Sequence, residues 1–363
     1  MFGIGAKSKV LFQQHWQGSL SEYVTAITWS ADGLLAASSA AGEVVLWQDD
    51  SLVSLLPAGE ASIDCLAFSS DGRFLAAGGQ DGKVRVWSFP PNLKKRRNEK
   101  QELKLIANLD NAPTWVDKLA WSPTCNQLAF SLGRYVQIWD ADSQTVINTL
   151  PFANSSVLDL AWQPNGEGIA IAGNGGVKVW STTDWADEPY LIDMPSASMV
   201  TAWSEDSKYI ASGNFDNTIT VLKYGLPIPW VMRGFPGKIS NLTWSPKLSN
   251  TTPLLAASSI EGIAVWKKEA DDEDGWSANI LTLHESKIQA LEFHPQSLLL
   301  ASAADDGRLC LWTKAKKVGQ ILEGARDGFS CLAWSKDGRQ LAAGGQDGEL
   351  IIWLQSKRGK GFG

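Results

Sequence analysis

The chain is poor in the residues that most site chemistry needs. It has 3 histidines (His15, His284 and His294) and 4 cysteines in 363 residues. So few imidazoles leave no set of several histidines for zinc, and Cys65, Cys125, Cys310 and Cys331 show no C-x-x-C spacing. No metal site and no disulfide framework are expected. Reduced thiols in a cytoplasmic setting are the simplest reading. No window of about 18 uninterrupted apolar residues appears, so no spanning helix is expected. The start, Met1 to Trp16, lacks a long apolar core and a small-residue cleavage site, and is not read as a signal peptide. Basic residues number 32 against 39 acidic ones, a net charge of -7, so no global basic field draws in nucleic acid or anionic lipid. The nucleophile elbow G-x-S-x-G, the zinc motif H-E-x-x-H and the phosphate-binding loop are all missing. No catalytic residue and no cofactor is assigned.

What the chain has is tryptophan, 18 of them against 5 tyrosines. They are periodic. Cys331 to Trp353, CLAWSKDGRQLAAGGQDGELIIW, nearly repeats Cys65 to Trp87, CLAFSSDGRFLAAGGQDGKVRVW. Each reads as three short strands separated by turns, because Asp-Gly between apolar runs is a strong hairpin signal. Eight copies follow in order: Val24–Trp47, Ile63–Trp87, Val116–Trp139, Val157–Trp180, Ser198–Leu222, Ile239–Trp266, Ile288–Trp312 and Phe329–Trp353. Closing tryptophans lie 40 apart (87 − 47), 41 apart (180 − 139 and 353 − 312) and 46 apart (312 − 266), a period that suits the four-stranded blade of a β-propeller. Fourth strands are found in the connectors at 52–56, 104–109, 145–150, 190–194, 228–233, 279–283 and 318–322. The eighth copy lacks one, and Lys9 to Gln14 is otherwise unpartnered, so the first run is expected to close the last blade and remove the open sheet edges. The expected architecture is all-β: a single closed propeller over residues 1–354. Its blades lie near 24–56, 63–109, 116–150, 157–194, 198–233, 239–283, 288–322 and 329–353 closed by 9–14, and a basic flexible tail occupies 355–363. Seven blades, with a rearranged fifth unit, is the alternative.

Over nearly its whole length the chain resembles the WD-repeat β-propeller family. In that family each blade carries a His before the first strand, a Ser or Thr on the second, an Asp in the second turn and a Trp ending the third, linked by hydrogen bonds. Only the seventh copy has all four, at His284, Ser302, Asp306 and Trp312. Asp81, Asp216 and Asp347 keep the turn position elsewhere, whereas Ala41, Gly133, Asn174 and Ile260 do not. Added tryptophans on the first strand, at Trp29, Trp121, Trp162, Trp203, Trp244 and Trp334, offer a substitute, provided each indole N–H finds a partner. The resemblance implies a non-enzymatic scaffold that holds partner proteins in a multiprotein complex, through one rim and the mouth of its channel, without membrane insertion.

One rim collects the loops that enter the first strand and the second turns. Its candidate partner-binding residues are Tyr23, Asp64, Gln80, Trp115, Asp117, Phe215, Lys238, Lys287, Asp305, Arg326 and Gln346. Aromatics among mixed charges fit a binding surface, and the blade pattern does not demand Trp115. The opposite rim carries a basic run, Lys94, Lys95, Arg96 and Arg97 in the loop up to Lys104, and an acidic run, Glu269 to Asp274. Both read as solvated loops. The basic loop, with the tail Lys357 to Lys360, supports a nucleic-acid or ribonucleoprotein alternative. An enzyme with its site in the channel mouth is the third reading. His294 is expected as a solvent-exposed turn residue.

Overall fold

Each repeat sends short apolar runs back on themselves at turns that only a few residues can make. In the first turn of the eighth copy Gly338 has φ +69°, and a Cβ there would lie 2.2 Å from the His294 ring, so glycine is required on both counts. A computed structural model describes residues 10–90, 103–153, 155–249, 252–271 and 273–356. It contains 32 strands, β1 to β32, in eight four-stranded antiparallel sheets, and no helix among the described residues.

The eight sheets are the blades of one closed β-propeller. The innermost strands are β2 (Val24–Trp29), β6 (Ile63–Phe68), β10 (Leu119–Trp121), β14 (Val157–Trp162), β18 (Ser198–Trp203), β22 (Asn241–Trp244), β26 (Ile288–Phe293) and β30 (Phe329–Trp334). Outermost strands follow the same order: β5 (Ser51–Leu56), β9 (Lys104–Asp110), β13 (Thr145–Pro151), β17 (Tyr190–Ile192), β21 (Trp230–Met232), β25 (Trp276–Leu281) and β29 (Lys317–Leu322). The eighth outer strand is β1 (Phe12–Ser19), which begins later and runs further than the Lys9 to Gln14 expected from sequence; Lys9 lies outside the described residues. It pairs antiparallel with β32 (Glu349–Gln355), from Phe12 opposite Gln355 to Ser19 opposite Glu349. Gln320 of the seventh blade locks its start. The Gln320 Oε1 accepts the Leu11 and Phe12 N–H groups at 2.7 and 2.9 Å, and its Nε2 donates to the Phe12 carbonyl at 2.8 Å.

Six innermost strands slip register at their second residue: Thr25, Asp64, Leu158, Met199, Gln289 and Ser330. A bulge puts one extra residue out of the ladder and re-aims it. It also places the first, fourth and sixth residues of the strand, such as Val24, Ile27 and Trp29, on one face.

The added tryptophans join neighbouring blades. Each indole N–H donates to a first-strand carbonyl of the preceding blade: Trp29 to Ala333 (3.0 Å), Trp121 to Ala67 (3.0 Å), Trp162 to Ala120 (3.0 Å), Trp203 to Ala161 (3.2 Å), Trp244 to Ala202 (3.1 Å) and Trp334 to Glu292 (3.3 Å). The second and seventh blades carry Phe68 and Phe293 at this place. Those are the two blades whose turn aspartate has a buried or half-buried cationic or imidazole partner, Asp81 with Arg85 at 2.6 Å and Asp306 with His284 at 3.1 Å.

In the seventh blade the Trp312 Nε1–H donates to Ser302 Oγ (2.9 Å), which lies 2.7 Å from His284 Nε2, while His284 Nδ1 faces Asp306. With Nδ1–H donating to the carboxylate, Nε2 accepts the serine hydroxyl proton. Burial pushes the His284 imidazole below its usual value, against the pull of Asp306, so the neutral ring is favoured. The fifth blade, whose third strand ends in Leu222, builds another network: Asn214 accepts from Ser212 Oγ and donates to Thr218 and Thr220, all buried.

His294 is not an exposed turn residue. It is buried, its ring centroid 5.0 Å from that of Trp334, and its Nε2–H donates to the Gly338 carbonyl at 3.1 Å. The acidic run is likewise not a purely solvated loop. Lys268 is buried above the Trp230 ring and donates to the carbonyls of Glu269 and Asp271, which ties the run to the blade. The four cysteines are free. Burial raises the thiols of Cys65, Cys310 and Cys331, to about 12 for Cys310 and about 11 for Cys331, so all three stay protonated and unreactive.

Candidate functional site

Loops and turns at the bulged ends of the innermost strands form the upper rim around the channel mouth. Here the structure gathers the sequence candidates into two groups. Over the second and third blades, Asp64 sits on the bulge of β6 and accepts the Ser62 hydroxyl at 2.5 Å. Burial, then the nearby charge of Asp64, raises the Asp117 carboxyl above its usual range, and Lys118 opposes the shift. Lys118 is itself drawn 3.6 Å from Asp159 on the fourth blade. Beside this pair stands Trp115. Its neighbours are pinned, the Thr114 N–H to Asn111 and the Val116 N–H to Gly79, both at 3.0 Å, yet its own side chain is 53% exposed. An aromatic held out on a fixed backbone loses little entropy on binding.

The second group spans the seventh, eighth and first blades. Asp305 accepts Gln289 Nε2 at 2.8 Å and also the Gln346 amide, while Lys287 donates to Gln289 Oε1 at 3.1 Å. Tyr23 completes it: burial, then Cys331 and Asp305, push its hydroxyl above the usual value. Gln80, Phe215, Lys238 and Arg326 are exposed and belong to neither group, although Phe215 and Gln80 have their backbones tied, to Ala197 and Ser62. Lys94, Lys95, Arg96 and Arg97, and the tail Lys357 to Lys360, lie outside the described residues.

Sequence reading missed the groups that line the channel beneath. Asp159 Oδ2 accepts the Thr201 N–H at 2.8 Å, and Glu292 Oε2 accepts the Trp334 N–H at 3.1 Å. Both satisfy an inner-edge amide of the next blade that no strand can pair. The signal for Glu292 was present: the equivalent residues are Thr28, Ala67, Ala120, Ala161, Ala202, Thr243 and Ala333, all small.

Burial raises the Glu292 carboxyl from the ordinary 4.5 to about 7, against the Trp334 hydrogen bond and Lys336. A carboxyl raised in the folded state holds its proton there more tightly than in the unfolded chain. Its contribution is neutral while both forms are protonated and turns unfavourable as pH climbs from 4.5 to about 7. Glu292→Gln, which keeps an oxygen for Trp334, should therefore match the wild type near about pH 4 and melt higher near about pH 8. Equal shifts at both pH values, read by thermal melting, would count against this ionisation.

Among the described residues no group of three or more His, Cys, Asp or Glu side chains is arranged to hold a metal ion, and no helix is long and apolar enough to cross a membrane. A family model described as "WD domain, G-beta repeat" matches residues 51–88, 144–181, 196–221, 275–313 and 316–353. Four of the five matches run from the outer strand of one blade through the three inner strands of the next, and 196–221 takes in the three inner strands of the fifth blade alone. The chain belongs to the WD-repeat β-propeller family. Among curated WD-repeat relatives, it is 24% identical to WD repeat-containing protein AAC3 of Dictyostelium discoideum, over 68% of this chain and 45% of that protein. It is 23% identical to Protein hir-1 of Neurospora crassa, over 78% of this chain and 33% of that protein. With B-type cell cycle switch protein ccs52B of Medicago truncatula it shares 25% identity, over 66% of this chain and 49% of that protein. The chain thus spans a third to a half of the length of these relatives.

Proposed function

We propose that this WD-repeat propeller is a non-enzymatic scaffold that holds partner proteins through its upper rim and channel mouth. The observation that carries the reading is Trp115, exposed on a backbone pinned from both sides, next to the Asp64 and Asp117 carboxylates. Aromatic anchors bordered by charge are the usual energetic centre of a protein interface. The polar groups best placed for chemistry are already engaged, within the seventh blade (His284 with Asp306, Asp305 with Gln289) or between blades (Asp305 with Gln346, Asp159 with Thr201, Glu292 with Trp334). That favours a rigid platform over a catalyst. Four cysteines, all free of disulfides, fit a cytoplasmic setting.

Crosslinked capture from the native host, with wild type beside Trp115→Ala/Asp117→Lys, tests it. Defined proteins should be recovered by the wild type and lost by the variant. Once a partner is in hand, Trp115→Ala should cost about 2 kcal/mol or more of binding. Equal recovery by both baits would remove this face from the interface, and recovery of nothing above background would remove the scaffold reading.

A further inference from the structure

Away from Trp115, on the upper and outer side of the fifth and sixth blades, lies a preformed apolar pocket of about 280 Å3. Its origin is a local change in the sequence. In the first, second, third and seventh blades the residue paired with the closing tryptophan is Leu52, Leu105, Val146 or Val318. In the sixth blade Ala278 is paired with Trp266, and Ala264 faces Ile280 one step along. Residues two apart on a strand share a face, so Ala264, Trp266, Ala278 and Ile280 present one surface. The two alanines leave the Trp266 ring uncovered. Phe235, from the loop that leaves the fifth blade, forms the facing wall with its ring centroid 6.5 Å from that of Trp266. Ile280, at the lip, is 61% exposed.

The charges around this hollow differ from those elsewhere on the rim. Arg233 borders it and Lys238 closes the same loop; both are exposed, and neither has an ion-pair partner among the described residues. Glu261, on the adjoining turn, engages neither of them. The chain as a whole carries -7, and the mouth near Trp115 is lined by Asp64 and Asp117. A negatively charged segment is therefore repelled from that side and drawn to this one. The volume lies just under the range of about 300–1,000 Å3 typical of whole small-molecule sites, which suits one large side chain better than a complete ligand.

We infer that this pocket receives a leucine- or phenylalanine-sized side chain from an acidic segment of a partner polypeptide, with Arg233 and Lys238 pairing the flanking carboxylates. The inference rests on the scaffold reading and names the chemistry of one partner.

The test is a set of short labelled peptides whose central residue is Gly, Ser, Leu, Phe or Trp, flanked by glutamates or by lysines, titrated against the full chain by fluorescence anisotropy. Leu or Phe between glutamates should bind, weakening by about tenfold or more when the centre becomes Ser or the flanks become Lys. Ala278→Leu installs the aliphatic cover that other blades carry, so it should melt no lower than wild type while losing the peptide. Arg233→Glu should weaken the same peptide by about tenfold and flatten its salt dependence. Binding that ignores both substitutions, or no binding by any peptide in the set, overturns the inference. The scaffold reading is judged separately. Host proteins captured equally by wild type and Ala278→Leu leave the scaffold standing and exclude the pocket as their dock.

Discussion

Removing every residue up to Ser19 should open the ring and lower the melting temperature by at least about 10 °C. The deletion takes away β1, the outer strand of the eighth blade, and with it the whole ladder from Phe12 opposite Gln355 to Ser19 opposite Glu349. Phe12 is 1% exposed and packs against Trp334 at 5.2 Å; losing one fully buried aromatic costs about 3–5 kcal/mol by itself. Gln320 is left with three hydrogen-bonding atoms' worth of partners missing, and β32 becomes a bare apolar edge that invites pairing between chains. Against a total stability of about 5–15 kcal/mol, this is a large fraction. Differential scanning calorimetry with light scattering would show a lower, aggregating transition. A melting curve identical to that of the full chain would mean that β1 does not close the ring.

The second large effect is expected at Trp334. Its indole is 5% exposed, contacts Phe12 and His294, and donates to the Glu292 carbonyl, so packing from the seventh and eighth blades converges on one side chain. Trp334→Ala should destabilise by about 3–5 kcal/mol, through lost area and the cavity left behind. Trp334→Phe keeps most of the area and removes only the N–H, and should cost about 1–2 kcal/mol. The second and seventh blades already carry Phe68 and Phe293 there, so the ring tolerates the smaller aromatic. Urea unfolding of the two variants separates the contributions. If alanine and phenylalanine cost the same, the hydrogen bond to Glu292 rather than the packing holds this junction.

Much of the fold is legible in the chain because each blade repeats its own turns. Tryptophan spacing marks the third strands, Asp-Gly marks the turns, and an unpartnered first run marks the closure. The bulges are legible too, in hindsight of the spacing. Val24, Ile27 and Trp29, like Ile63, Leu66 and Phe68, step by three and then by two, which a regular strand cannot place on one face and a bulged one can. What stays hidden is whatever crosses between blades. Lys118 and Asp159 are a repeat apart, as are Glu292 and Trp334; the first contact has no local signal, and the second shows only as a glutamate where the other copies are small, without naming its partner. His294 misleads for the same reason: serine stands there in other copies, and the ring is buried only because Gly338 and Trp334 of the next blade receive it. Positions on the rim follow from the repeat register. Which of them gather into groups depends on contacts between blades.

The pairing of Phe12 with Gln355 has a mechanical consequence. The chain leaves the eighth blade from the same end of two adjacent strands, so tension applied through those two ends acts across the ladder rather than along it. Hydrogen bonds loaded in that direction give way one after another, as a zip does, instead of sharing the force. A ring held thermally by its closing strand is thus easily peeled open by a pull on its ends. The same molecule gripped across any other blade would have to shear whole sheets past one another.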